Sequence, residues 1–80
     1  MKPIDNYLQN LSNHARGELE NITSRAKVEA RASRKNAETI RDKAAEAVNA
    51  IIERLWINGY LTYEEYIRIS YHYLHQLKRA

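Results

Sequence analysis

The stretch WINGYLTYEEY, residues 56–66, predicts the end of one helix and the start of the next. Gly59 follows Asn58 and suits the left-handed residue that ends many helices. Thr62 and Glu65 have the spacing of a capping box, in which each side chain binds the backbone N–H of the other. A joint this short predicts an antiparallel or sharply angled helical hairpin.

The composition limits the fold to one small helical domain. The chain has 80 residues, no cysteine, two glycines and one proline, so disulfides and thiolate metal sites are excluded. No apolar run approaches the roughly 18 residues needed to cross a bilayer, and the N-terminus lacks the apolar core of a signal peptide. We expect a soluble, cytoplasmic, all-α protein without membrane contact.

Apolar spacing predicts three helices in a single domain, residues 1–80: an elongated hairpin or three-helix arrangement with one very long central helix. The first covers about residues 4–15, favoured by Pro3 in its first turn, and stops near Gly17, which is either its C-cap or an interior glycine. The second runs from about 18 to 57 and the third from about 62 to 78.

The middle of the long helix has few large apolar residues. Between residues 23 and 47 only Val28 and Ile40 are large and apolar, and the rest of the seam is alanine and serine. An alanine seam buries little area and needs the close approach of another helix. We therefore expect a second chain, either another copy in a coiled-coil-like oligomer through this seam or a larger protein.

The C-terminal hairpin has more large aromatic residues than one packing neighbour requires. On the third helix the apolar arc covers about 200°, whereas one neighbour needs a stripe of roughly 100°. The aromatic residues either wrap a compact core or form a binding surface, for which Tyr and Trp are favoured. The predicted partner-binding residues are Trp56, Tyr60, Tyr63, Tyr66, Ile69 and Tyr73.

The same turn resembles the short C-terminal helical hairpin called SHOCT. A leucine, a glycine, an aliphatic-Thr pair and a Glu-Glu-aromatic sequence recur in that family, and here they are Leu55, Gly59, Leu61-Thr62 and Glu64-Glu65-Tyr66, with Leu74 and Leu77 later. The second helix departs from the family, which usually has a lysine where this chain has Ile69-Ser70-Tyr71. The resemblance implies an interaction or oligomerisation element without enzymatic activity.

No residue pattern predicts catalysis. His72 and His75 have a spacing that could share a metal ion, but no third ligand is near in sequence, so we expect solvated histidines. The Glu64-Glu65 pair lies in the first turn of a helix, where negative charge is stabilising. We expect no catalytic residues, metal, cofactor or small-molecule substrate.

The positive charge is concentrated in residues 25–43, which contain seven basic and three acidic residues and carry a net charge of +4. Part of this segment resembles the basic regions of leucine-zipper DNA-binding proteins, but it lacks their asparagine and their leucine heptads. It is either a solvated face with pairs such as Arg25–Glu29 and Arg34–Glu38, a nucleic-acid contact, or a docking site for an acidic protein. The candidate phosphate-binding residues are Lys27, Arg31, Arg34, Lys35 and Arg41.

The sequence thus favours a non-enzymatic protein-binding module, a candidate regulator or inhibitor of a larger assembly. It would act through the Tyr/Trp-rich hairpin and the alanine seam. The alternative is a small dimeric nucleic-acid-binding protein that uses the basic helix, residues 25–43.

Overall fold

The computed structural model describes residues 3–79 and confirms the all-α class. Its helices are α1 (Ile4–Leu8), α2 (Asn13–Ala32), α3 (Ala37–Ile57) and α4 (Tyr63–Lys78), with a 3-10 turn over Arg34–Asn36 before α3. The 3-10 turn and α3 together make the longest helical segment, 24 residues. The helices α2, α3 and α4 pack as a bundle, and α1 lies against α4.

The continuous helix predicted over residues 18–57 is wrong, because the chain folds back on itself at Ser33. This residue has φ −130° and ψ 76°, which lies outside the helical region. The Asn36 side chain donates a hydrogen bond to the Ser33 hydroxyl (3.3 Å), and the Asn36 N–H donates to the Ser33 carbonyl (3.0 Å). Serine and asparagine offer the backbone such local alternatives to the helix, so these residues make the turn.

The alanine seam closes on itself within one chain. Ala26 and Ala30 of α2 and Ala44 of α3 are all buried, and Ala26 and Ala44 belong to one core cluster. Small side chains let two helices approach closely, which is the packing this seam needs. Each half of this segment therefore finds a packing neighbour in the other half of the same chain.

The predicted first helix, residues 4–15, is also divided. Helix α1 ends at Leu8, and α2 begins after Ser12, whose hydroxyl accepts a hydrogen bond from the Ala15 N–H (3.1 Å). Ser12 is thus an N-cap residue, a role in which serine is favoured. Gly17 is an exposed glycine inside α2, so the C-cap alternative is excluded.

The turn between α3 and α4 has the predicted geometry. Gly59 has φ +82°, and the N–H groups of Gly59 and Tyr60 donate to the carbonyls of Trp56 (3.0 Å) and Leu55 (2.9 Å), which is a Schellman motif. The capping box is complete, with Thr62 N–H to Glu65 Oε1 at 2.8 Å and Glu65 N–H to Thr62 Oγ1 at 3.1 Å. Helix α4, which is the third helix of the sequence prediction, therefore begins where the sequence predicts.

The core lies between the three long helices. Its most deeply buried side chains come from all three: Leu19, Val48, Ile52, Ile69, Tyr73 and Leu77. Helix α1 adds the buried Tyr7, whose hydroxyl donates to Glu64 Oε1 (3.0 Å), and the side chain of Asn10 donates to Glu65. These two bonds hold α1 against the first turn of α4.

The fold-back can be tested by enlarging the alanine seam. We expect Ala26→Leu to lower the free energy of unfolding by about 1–3 kcal/mol, because the leucine must enter a closely packed helix pair. Ala47→Leu, on the exposed side of α3, is the matched control and should change it by no more than about 0.5 kcal/mol. Urea unfolding measures both, and equal effects of the two substitutions would contradict the α2–α3 packing.

Candidate partner-binding surface

The turn between α3 and α4 brings three aromatic side chains together. Trp56 stacks on Tyr66 with ring centroids 4.7 Å apart and an interplanar angle of 8°. Tyr63 lies beside both, with its ring centroid 5.4 Å from that of Trp56 and 6.0 Å from that of Tyr66. We call these three residues the aromatic cluster. The tight turn creates it, because it places the last turn of α3 beside the first turns of α4.

A row of exposed apolar side chains continues from this cluster along α4. Tyr63, Ile67 and Tyr71 are spaced by four residues, so they share one helical face. They are 60, 46 and 68% exposed, which is unusual for large apolar side chains in one row. We call this row the α4 stripe, and the stripe with Trp56 and Tyr66 the aromatic face.

The aromatic face is the side of α4 that the other helices leave uncovered. Ile69, Tyr73 and Leu77 point into the core, and Trp56 of α3 packs beside Tyr66. Helix α1 lies on another side, where Ile4 and Tyr7 line a shallow groove with Arg68 and Tyr71. The α4 stripe lies between these two neighbours and faces outwards.

Three of the six predicted partner-binding residues form the aromatic cluster, and three do not. Tyr60 is exposed, but it lines a separate groove with residues of the α1–α2 connection. Ile69 and Tyr73 are 0 and 1% exposed, so their assignment to a surface is wrong. They are core residues that fill the space between α4 and the α2–α3 pair.

The error comes from the wide apolar arc of α4. The predicted arc of about 200° contains both the row Tyr63 and Ile67 and the row Ile69, Tyr73 and Leu77, and the structure buries the second row. Both rows lie within the apolar arc, and the positions of α1 and α2 decide which one is covered. Ile67 and Tyr71 were therefore not predicted as surface residues. The positions of the polar residues on α4 do not show which of the two rows is exposed.

The two ends of helix α4 carry opposite charges. Glu64 lies in the first turn of α4 and Lys78 is its last residue, and both are exposed. These positions are also favoured by the helix dipole, which attracts negative charge at the N-terminus and positive charge at the C-terminus. At the C-terminal end of the α4 stripe, Tyr71 stacks on His75 with ring centroids 5.5 Å apart.

The basic residues gather at the opposite end of the bundle. Arg31, Arg34 and Lys35 are exposed at the tip of the α2–α3 hairpin, which we call the basic tip. Lys27 is half-buried and donates to Gln76 Oε1 (3.4 Å), and Arg41 is half-buried on α3. The five residues predicted on one straight helix thus lie on two helices and a turn, and the likeness to a continuous DNA-binding helix ends at Ser33.

The intrahelical ion pairs expected in this segment do not form. Neither Arg25 and Glu29 nor Arg34 and Glu38 approach within ion-pair distance in the described part of the chain. Glu29, Glu38 and Asp42 are nevertheless exposed, so the tip region carries both signs of charge. Its excess charge is positive, and Arg31, Arg34 and Lys35 are exposed there.

The histidines of α4 have different partners. Gln76 directs its Oε1 to Lys27, so its amide nitrogen faces His72 Nε2 at 2.9 Å. A neutral imidazole can accept this bond and a protonated one cannot. Burial lowers the pKa of His72, and the charges of Asp5, Arg16, Glu20 and Lys27 act on it in opposing directions. Across residues 3–79, no three His, Cys, Asp or Glu side chains group as metal ligands.

Comparison with known proteins found no relative of this chain. No protein-family model matches the chain, no curated protein is significantly similar to it, and no solved structure matches its fold. The SHOCT resemblance therefore rests on the residues of the turn alone. Among the helices of residues 3–79, none combines the length and apolar character required to cross a bilayer.

The His72 contact predicts a pH-dependent stability. Because the pKa of His72 is lower in the folded chain than the unfolded value of about 6.5, the unfolded chain binds the proton more readily. The melting temperature should therefore fall as the pH decreases from 7.5 towards 5. His72→Gln should reduce this dependence, whereas His75→Gln, which leaves His72 in place, should retain it. An unchanged pH profile in His72→Gln would contradict the assignment.

Proposed function

We propose that this chain is a non-enzymatic protein-binding module that binds its partner through the aromatic face. The observation that carries the proposal is a continuous exposed row, Tyr63, Ile67 and Tyr71, beside the stacked Trp56 and Tyr66. Scattered exposed apolar residues are ordinary on protein surfaces, but a contiguous patch marks an interaction site. Tyrosine and tryptophan supply large contact area with few rotatable bonds, which is why they dominate binding hot spots.

The folding of the bundle does not account for these exposed side chains. The core is filled by other residues of α4, and more than half of the Tyr63 and Tyr71 surfaces remains in contact with water. The stacked Trp56 and Tyr66 hold the edge of the face in a fixed geometry. A rigid surface loses little conformational entropy on binding, so this arrangement is suited to a specific partner.

A small module with one such face acts by occupying the surface of its partner. We therefore extend the proposal to a regulator or inhibitor of a larger assembly. The bundle offers a rigid helix with an exposed apolar row, which is the usual way in which a helix is recognised by an apolar groove.

The proposed function can be tested with a photo-crosslinking amino acid placed on the face. We expect substitution at Ile67 to capture a partner in the native host, whereas substitution at Ile57, an exposed apolar residue outside the aromatic face, should not. Tyr71→Ala should then weaken binding of the captured partner about 30-fold, the effect of a hot-spot loss near 2 kcal/mol. Ile57→Ala is the matched control. Equal capture from both positions would contradict a defined face.

The basic tip supports a second candidate function, contact with the phosphates of a nucleic acid. The observation that favours it is the convergence of Arg31, Arg34 and Lys35 at one tip, exposed and without an ion pair in the described chain. They lie within five consecutive positions, at the end of α2 and in the 3-10 turn. Arginine and lysine side chains in such a group neutralise phosphates and release counterions.

Salt dependence distinguishes the second candidate from the first. If the tip contacts phosphates, affinity for duplex DNA or RNA should fall steeply with salt, and Arg31→Ala with Arg34→Ala should reduce the log–log slope by about 2. Arg54→Ala removes one positive charge from an exposed site near the other end of α3 and should leave the slope nearly unchanged. Fluorescence anisotropy at several salt concentrations measures the slope. Equal losses in the two variants would exclude the tip as the contact.

A further inference from the structure

Helices α2 and α4 run in the same direction. Asn10, just before α2, donates to Glu65 in the first turn of α4, so both helices begin at the same end of the bundle. Near their other ends, Lys27 of α2 donates to Gln76 Oε1 of α4 (3.4 Å). This bond sets Lys27 and Gln76 at the same height, so the last residues of α4 lie beside the end of α2.

This arrangement brings Arg79 to the height of the basic tip. Arg79 follows Gln76 by three residues, which places it on the same side of α4 and about 4.5 Å farther along the helix axis. Its N–H donates to the His75 carbonyl (3.3 Å), so the backbone is still helical there. Arg31 follows Lys27 by four residues, on one side of α2 and about 6 Å farther along. Arg79 and Arg31 therefore stand at nearly the same height on two helices, and both are exposed.

The acidic residues of this end of the bundle lie elsewhere. Glu29 lines the groove between α2 and α3, and Glu38 and Asp42 belong to α3. Glu20, two turns before Lys27 on α2, is paired with Arg16 (3.2 Å). The side of the bundle formed by the ends of α2 and α4 therefore carries an excess of positive charge.

We infer that the phosphate contact extends from the basic tip along the α2–α4 side of the bundle to Lys27 and Arg79. We call these two residues and the basic tip the basic ridge. The inference rests on the second candidate function and adds residues to its site. The ligand is the backbone of a nucleic acid, bound independently of base sequence, because phosphate contacts position a protein without reading the bases. Lys27 can take part although it is half-buried, since an ammonium group has three donors and Gln76 accepts one bond.

Two features of the basic ridge favour a nucleic acid over an acidic protein. Between residues 13 and 36, Val28 is the only large apolar side chain that is exposed, whereas protein–protein interfaces have an apolar core. Between residues 66 and 79, α4 contributes no acidic residue. Interfaces with nucleic acids are polar and strongly positive, which is the character of this surface.

The salt dependence of binding to a labelled duplex DNA of mixed sequence tests this inference with the full chain. We expect Arg79→Ala to reduce the log–log slope by about 1, because one phosphate contact is lost. Arg54→Ala also removes one exposed arginine, but far from the ridge, and should leave the slope nearly unchanged. Lys27→Met, which keeps the apolar stem and removes the charge, should reduce the slope by about 1, and circular dichroism verifies its helical content.

Polyglutamate serves as the acidic-protein probe in the same assay. Duplex DNA carries one charge per about 1.7 Å, whereas an extended polypeptide carries one per about 3.3 Å, so polyglutamate should bind with a shallower slope. Equal slopes for the two polyanions would favour an acidic protein and overturn the inference.

The variants also separate this inference from the function on which it rests. Equal slopes for Arg79→Ala and Arg54→Ala would overturn the inference. If Arg31→Ala with Arg34→Ala still lowered the slope, the second candidate function would stand with the basic tip alone. A wild-type chain without salt-dependent binding would overturn both.

Discussion

The packing of alanine against alanine between α2 and α3 is the constraint on which this structure depends. A segment with almost no large apolar residues cannot stabilise an isolated helix of its length, because helical stability in proteins comes mostly from an amphipathic face that is packed. Folding back at Ser33 gives Ala26 and Ala30 a neighbour in the same chain, and Ala44 supplies part of it. The close approach of α2 and α3 thus compensates for the small number of large apolar side chains, and no second chain is needed for this part of the fold.

The geometry of the surface follows from that pairing. The α2–α3 pair covers the side of α4 that carries Ile69 and Tyr73, and α1 is held on another side by the bonds from Tyr7 and Asn10 to the glutamates of the first turn. With those sides occupied, the row from Tyr63 to Tyr71 is what remains exposed. The aromatic face is therefore a consequence of where the other helices pack, and its own residues would suit a core equally well.

Local signals in the sequence predicted the α3–α4 turn, because every feature that defines it lies within a few residues. The positive φ at position 59 favours glycine, and Thr62 and Glu65 find their backbone partners three residues apart. The break at Ser33 was not predictable in this way, since arginine, lysine and alanine around it all favour helix, and the local bonds of Ser33 and Asn36 prevail only when α2 and α3 pack together. The buried side of α4 was missed for the same reason: its apolar arc permits two faces, and distant helices choose between them.

The separation of the two exposed surfaces bears on how they could act together. The aromatic cluster lies at the C-terminal end of α3 and the basic tip at its N-terminal end, so a helix of 21 residues, about 32 Å long, lies between them. A partner held on the aromatic cluster and a phosphate backbone held at the basic tip would therefore lie at opposite ends of α3. The two proposed contacts do not compete for one surface.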